Sequence, residues 1–236
     1  MNCRRSLIRT FLIVICAVLL DHCASDRQVQ LPGTLPDGRV RLPNGWLLSP
    51  AGKHVSVGEL PLNMVATPDE RYLLVTNDGT KDQTLSVVDI PSWKVIQSVP
   101  LRTSWLGLRM YDRGHRFLLS GGNDNRVDMY SFEQGHATLS DSIVLGAPWP
   151  AERISVTGID VDDPSGTAYV ASKDNASLYS INLHTKKVLV RIQLAAAPYT
   201  CLISAARPVL YVSLWGGSAV TVVDRASTSS FRTVRT

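Results

Sequence analysis

Four copies of one strand pattern, set at blade-length intervals, constrain this chain more than any other feature. The second strand of each copy reads Arg-Tyr-Leu-Leu-Val-Thr at 71–76, Arg-Phe-Leu-Leu-Ser at 116–120, Thr-Ala-Tyr-Val-Ala at 167–171 and Leu-Tyr-Val-Ser-Leu at 210–214. The third strands follow at 85–89, 127–131, 178–182 and 219–224, each ending on a short polar residue: Asp89, Ser131, Asn182 and Asp224. Those end points are 42, 51 and 42 residues apart, and the longest step contains the Pro148-Trp149-Pro150 insertion. β-branched and aromatic residues fill short runs bounded by Gly, Asn, Asp and Pro, whereas helical periodicity is weak. Self-similarity of this length belongs to blades of a β-propeller.

Fourth strands are expected at 94–99, 141–145 and 187–194, which makes each blade a four-stranded antiparallel sheet. Residues 45–59 read as the outer half of a further blade, with strands at 46–48 and 54–57. A last strand is expected over 230–236. The expected fold is therefore all-β, an incomplete propeller of about four and a half blades over 45–236, preceded by an extended segment at 26–44. An incomplete ring implies a truncated chain and open strand edges through which copies self-associate.

Residues 1–25 have a different character. Arg4, Arg5 and Arg9 precede and enter an uncharged apolar run from Phe11 to Leu20, and Cys23-Ala24-Ser25 supplies small residues for a cut. This layout is that of a secretory signal peptide, and the run is too short for a membrane-spanning helix. Export to the periplasm or cell envelope is the expectation. Lipid anchoring at Cys23 is the weaker alternative, because Asp21 and His22 stand where a lipoprotein signal needs small or aliphatic residues. Losing the leader lowers the formal charge from +4 to +2 and leaves no cluster of Lys and Arg suited to nucleic acid. Cys201 is then the one remaining cysteine of four, so no internal disulfide framework can form; its apolar surroundings mark it as a core residue.

The unit Thr67-Pro68-Asp69-Glu70-Arg71-Tyr72-Leu73-Leu74-Val75-Thr76-Asn77, followed by Leu85-Ser86-Val87-Val88-Asp89, resembles the repeat of YVTN-family β-propellers, a WD40-like repeat. More narrowly, Leu42–Gly52, the Gly121-Gly122-Asn123-Asp124-Asn125 turn and Leu214-Trp215-Gly216-Gly217 are similar to bacterial exported proteins in which such a propeller precedes an alkaline-phosphatase-like phosphoesterase domain. The resemblance implies that phosphoesterase chemistry, with its metals and nucleophile, resides in that other domain, since no segment of this chain matches it.

No catalytic centre is legible, and neither cofactor nor metal is expected. The histidines are scattered, and no Ser or Cys sits in a nucleophile elbow. Asp160 and Asp162 share a strand face, as a hard-cation site would need, but Asp162-Asp163-Pro164-Ser165-Gly166 reads more simply as a turn. The turns after the second strands are rich in Asn, Asp and Gly, which left-handed backbone conformations require without any ligand. Lys173 and Trp215 in those turns, and Trp105 and Trp149 in the links between blades, have no such explanation. Together with Asn123 and Asp124 they are the expected contact residues for a protein or small-molecule ligand. The leading expectation is an exported, non-catalytic binding module; the alternative is a lactonase-like hydrolase or cytochrome-type redox module whose site is shared among blade loops.

Overall fold

The computed structural model describes residues 31–80, 82–226 and 231–235. The expected leader at 1–25, with Cys23, lies outside them, as do the two ends of the expected last strand, Ser230 and Thr236. Among the described residues no helix is long and apolar enough to cross a membrane. The chain divides into two compact units, Met1–Lys53 and His54–Thr236.

The described part of the first unit is a small antiparallel meander of β1 (Gly33–Thr34), β2 (Val40–Arg41) and β3 (Leu47–Leu48). Its two turns come from a tandem motif, Leu-Pro-Asp-Gly at 35–38 and Leu-Pro-Asn-Gly at 42–45. Proline presets the first corner, and glycine takes the positive φ at the last position, +82° at Gly38 and +83° at Gly45. Asp37 and Asn44 each accept a hydrogen bond from the backbone N–H two residues on. This corrects the reading of 45–59 as half a blade. Leu47–Leu48 pairs with Val40–Arg41, and 54–57 forms no strand. Nor is 26–44 simply extended, because the repeated Pro and Gly turn signals fold its second half back on itself.

The second unit contains four antiparallel meanders, each of four strands in sequential order. Blade 1 is β4 (Pro61–Ala66), β5 (Tyr72–Asn77), β6 (Thr84–Asp89) and β7 (Lys94–Pro100). Blade 2 is β8 (Leu108–Tyr111), β9 (Arg116–Ser120), β10 (Arg126–Glu133) and β11 (His136–Val144). Blade 3 is β12 (Val156–Asp162), β13 (Thr167–Ser172), β14 (Ser177–Asn182) and β15 (Lys187–Gln193). Blade 4 is β16 (Pro198–Ile203), β17 (Val209–Leu214), β18 (Ala219–Asp224) and β19 (Phe231–Arg235). The expected second, third and fourth strands lie within about two residues of these limits, with one exception: β11 begins at His136, not at 141. Gln134 and Gly135, both at positive φ, make a tight two-residue hairpin turn there.

The core lies between blades. In β9, Phe117 and Leu119 point to blade 1, where they meet Tyr72, Leu74, Leu85 and Val87, while Leu118 points to blade 3 and meets Val156, Ile159 and Val170. Middle strands buried on both faces therefore read as continuous apolar runs instead of alternating ones. The Phe117 and Tyr130 rings stack with centroids 4.8 Å apart, and Phe132 meets Tyr72 edge-on at 5.6 Å. A third cluster, with Tyr169, Leu178, Cys201, Leu210 and Val212, joins blades 3 and 4. First strands of successive blades lie side by side at the inner edge of the array. A Cβ on Gly158 of β12 would stand 2.4 Å from Thr200 Cα of β16, so only glycine permits that approach.

Candidate functional site

Each turn between second and third strands is bonded to a link between blades: in blades 1 to 3 the one that leaves its own blade, in blade 4 the one that enters it. Leu101 N–H donates to Gln83 O at 2.8 Å, Leu145 N–H to Asn125 O at 2.9 Å, Leu194 N–H to Ala176 O at 2.7 Å and Trp215 N–H to Ala197 O at 2.7 Å. Turns and links thus form one face of the second unit, and all six residues singled out from the sequence lie on it.

Three of the six converge. Trp105 and Lys173 come from the blade 1–2 link and the blade 3 turn, and Asn123 from the short 3₁₀ turn Gly122–Asp124 of blade 2. They line a cavity of about 270 Å³ together with Gln83, Thr103, Ser104, Gly122, Ser155, Val156 and Thr157. Lys173 Nζ sits 5.9 Å from the centre of the Trp105 ring, within reach of a cation–π attraction. Ser155 Oγ lies 2.8 Å from Asn123 Oδ1 and 2.7 Å from Asp174 Oδ2, which links the blade 2 turn to the blade 3 turn.

The floor is fixed by hydroxyls of buried and half-buried residues. Thr103 Oγ1 donates to Gly121 O at 2.6 Å, Thr157 Oγ1 to Ala171 O at 3.2 Å, and Ser104 Oγ to the Asp78 carboxylate. Ser104 N–H donates to Gln83 Oε1 at 2.7 Å. Burial pushes the Asp78 carboxyl above its ordinary pKa, with the Ser104 and Thr76 hydroxyls opposing it.

The other three singled-out residues behave differently. Asp124 is buried in an ion-pair cluster, 2.9 Å from Arg102 Nε and 3.1 Å from an Arg126 guanidinium nitrogen, so its charge is held by the protein itself. Trp149 is half exposed and tied to the same turn through its backbone, its N–H donating to Asn123 O at 2.9 Å. Trp215 stands on blade 4, 70% exposed, with its ring 4.7 Å from that of Tyr199 and tilted by 38°. Sequence reasoning missed Gln83, Thr103, Ser104, Ser155 and Thr157. Small hydroxyl and amide residues in links carry no local signal, and only the stacking of blades brings them together.

The aspartate pair of β12 is accounted for by arginines, and no cation is needed. Asp160 is 2.9 Å from Arg109 Nε and accepts a hydrogen bond from Ile203 N–H at 2.7 Å; Asp162 is 2.8 Å from an Arg225 guanidinium nitrogen. Asp163–Ser165 forms the short turn, closed by Gly166 at φ +63°. Cys201 is buried, and burial pushes its thiol pKa well above the ordinary range, which suits a core residue and not a nucleophile. Among the described residues no group of three or more His, Cys, Asp or Glu side chains is placed to hold a metal ion.

No protein-family model and no curated protein matches the sequence. Solved structures do. Hydrazine synthase of Kuenenia stuttgartiensis superimposes with a TM-score of 0.56 at 19% identity, covering 79% of this chain and 53% of that one. A functionally unknown protein from Desulfotomaculum acetoxidans gives 0.61 at 15% identity over 83% and 60%. The WD40 repeats of RRP9 give 0.58 at 12% identity over 77% and 53%. At such identities the likeness is one of fold, and it agrees with the blades described above: the chain is all-β, built of propeller blades. The chain spans between about half and three fifths of the length of these structures.

Proposed function

We propose that this chain is an exported, non-catalytic β-propeller module that binds a partner through the face formed by its turns and links. The observation that carries this reading is the convergence of Trp105, Asn123 and Lys173, from three segments far apart in sequence, around one cavity. Exposed aromatic rings beside polar side chains are what recognition surfaces concentrate. The basic, apolar and small-residue order of 1–25 supports export. The Leu42–Gly52, Gly121–Asn125 and Leu214–Gly217 segments support a relationship to exported propellers that accompany phosphoesterase domains; on that reading any hydrolysis belongs to the other domain, and the propeller positions it.

Photo-crosslinking tests the reading in cells that express the chain with its own leader. A benzophenone side chain placed at 105 or 215 should give discrete adducts in the envelope fraction, and one placed at 184, in a turn at the opposite end of blade 3, should give none. Retention of uncleaved chain in the cytoplasm would overturn the export half. Equal labelling from 105 and 184 would overturn the assignment of the face.

A further inference from the structure

The tandem turns of the first unit differ in one functional group, and that group decides their chemistry. Both are closed alike: Gly38 N–H donates to Leu35 O at 3.0 Å and Gly45 N–H to Leu42 O at 2.9 Å, while Asp37 Oδ1 and Asn44 Oδ1 accept from the N–H two residues on, at 3.1 and 3.0 Å. In each, the side-chain carbon Cγ neighbours the backbone nitrogen of a glycine, which has no Cβ to shield it. In the first turn that carbon belongs to a carboxylate. Arg39 donates to both of its oxygens, and the guanidinium holds the Asp37 carboxyl below its ordinary pKa, so it stays ionised and offers no leaving group. In the second turn it belongs to an amide, the residue two on is Trp46 instead of a cation, and Asn44 is the only asparagine of the chain that precedes a glycine. Trp46 N–H donates to Asn44 Oδ1, the oxygen on which charge builds when a nucleophile adds to Cγ. Pro43, Asn44, Gly45 and Trp46 are all exposed, and the strands they join are two residues long, so little opposes the small opening that frees Gly45 N from Leu42 O.

We propose that the Asn44-Gly45 turn is a site of self-modification, at which the folded chain exchanges the Asn44 amide for a carboxylate. Gly45 N gives up its proton and bonds to Asn44 Cγ; the Cγ–Nδ2 bond breaks, and ammonia departs with that proton. A five-membered succinimide remains, which one water opens. Cleavage between Gly45 N and Cγ leaves an aspartate on the ordinary backbone. Cleavage at the Asn44 backbone carbonyl leaves an isoaspartate, whose main chain runs through Cβ and Cγ. This second product adds one carbon to a turn that holds Val40 opposite Leu48 and Arg41 opposite Leu47, so that pairing is lost. Other asparagines are held differently: Asn63, Asn125 and Asn175 donate through Nδ2 to Leu106 O, to Ala147 O and Glu152 O, and to the Tyr179 hydroxyl, and each precedes a residue with a side chain.

Incubating the full chain at neutral pH in heavy-oxygen water, followed by peptide mapping, tests the proposal independently of the docking reading. Asn44 should lose its amide at least about tenfold faster than any other asparagine, and its peptide should take up one heavy oxygen and become a substrate for an isoaspartyl methyltransferase. The rate should rise with pH, since Gly45 N attacks without its proton, and Asn44→Gln, which needs a six-membered ring, should stop the reaction. Amides of 40–41 and 47–48 should exchange hydrogen faster in the isoaspartyl fraction, yet keep their rates in the Asn44→Asp variant, which reproduces the charge on an unaltered backbone. A folded chain that keeps the Asn44 amide for as long as the urea-unfolded chain takes to lose it would overturn the proposal, by showing that the turn protects its asparagine. Earlier loss at another asparagine would overturn it too, and unchanged exchange at 47–48 in the isoaspartyl fraction would reject the loss of strand pairing.

Discussion

Gly158 shows how a single residue sets the distance between blades. It lies on β12, buried, where a Cβ would meet Thr200 Cα at 2.4 Å and Thr200 Oγ1 at 2.5 Å. Backbone atoms cannot yield as a flexible side chain can, so Gly158→Ala has to push β16 outward or bend β12. Overpacking of this kind costs about 1–3 kcal/mol. Urea unfolding of the variant should give an unfolding free energy lower by that amount and so a lower midpoint, with Cys201, just beyond Thr200 on β16, becoming accessible to a thiol reagent sooner. An unchanged midpoint would mean that the inner strands are not in contact there. Nothing in the sequence marks Gly158: it stands between Thr157 and Ile159 without the turn signals that flag other glycines, and its role exists only once two blades are stacked. The same holds for Ser104 and Ser155 beneath the cavity. Lys173 and Trp105 were legible because a long cation and a large indole are poor choices for a turn and a link unless something uses them.

Elements are more legible in the sequence than their connections. Middle strands carry dense β-branched and aromatic runs, and their limits fall within about two residues of the observed ones. β11 starts five residues before its apolar pattern does: its first half, from His136 to Ser140, is nearly all polar or small, and the Gln134-Gly135 turn outweighs that composition. The half-blade at 45–59 failed for the converse reason: Trp46-Leu47-Leu48 looks like a strand needing a following partner, while the Leu-Pro-Asn-Gly turn gives it a preceding one. In the link 145–155, which lengthens the 51-residue step, one side chain makes three of the bonds. Asn125, in a left-handed conformation at φ +56°, donates through Nδ2 to Ala147 O at 2.5 Å and Glu152 O at 2.9 Å, and its Oδ1 accepts from Ser155 N–H at 2.9 Å. Asn125→Ala removes all three bonds and leaves the N–H of buried Ser155 unpaired, at a cost of about 1–3 kcal/mol. Hydrogen exchange should localise the loss: amides of 145–155 should exchange faster while those of β9 and β10 keep most of their protection. Uniform acceleration across blades 2 and 3 would show that the link is not an independent element.

Blade 4 presents the face that its predecessors bury. Its inner face packs on blade 3 through Leu210, Val212, Leu214 and Val223. Strand alternation and register put Leu202, Tyr211 and Val222 on the other face, side by side across β16, β17 and β18, with Val220 and Val234 paired beside them. Leu202 is 60% exposed, whereas the corresponding face of blade 2, with Leu118, Val127 and Met129, is closed by blade 3. An apolar sheet face of this kind is stabilised by whatever sheet next covers it, and in a solution of the chain alone the available sheet is another copy. The weight-average mass in sedimentation equilibrium should therefore rise with concentration. Tyr211→Lys combined with Val222→Lys, which puts two charges on that face and leaves the contacts with blade 3 untouched, should hold the mass at that of one chain. Mass independent of concentration in the unaltered protein would reject association through blade 4. Association that persists in the double variant would move it elsewhere, to the exposed Leu60 and Met64 side chains of blade 1 and the segment that enters it.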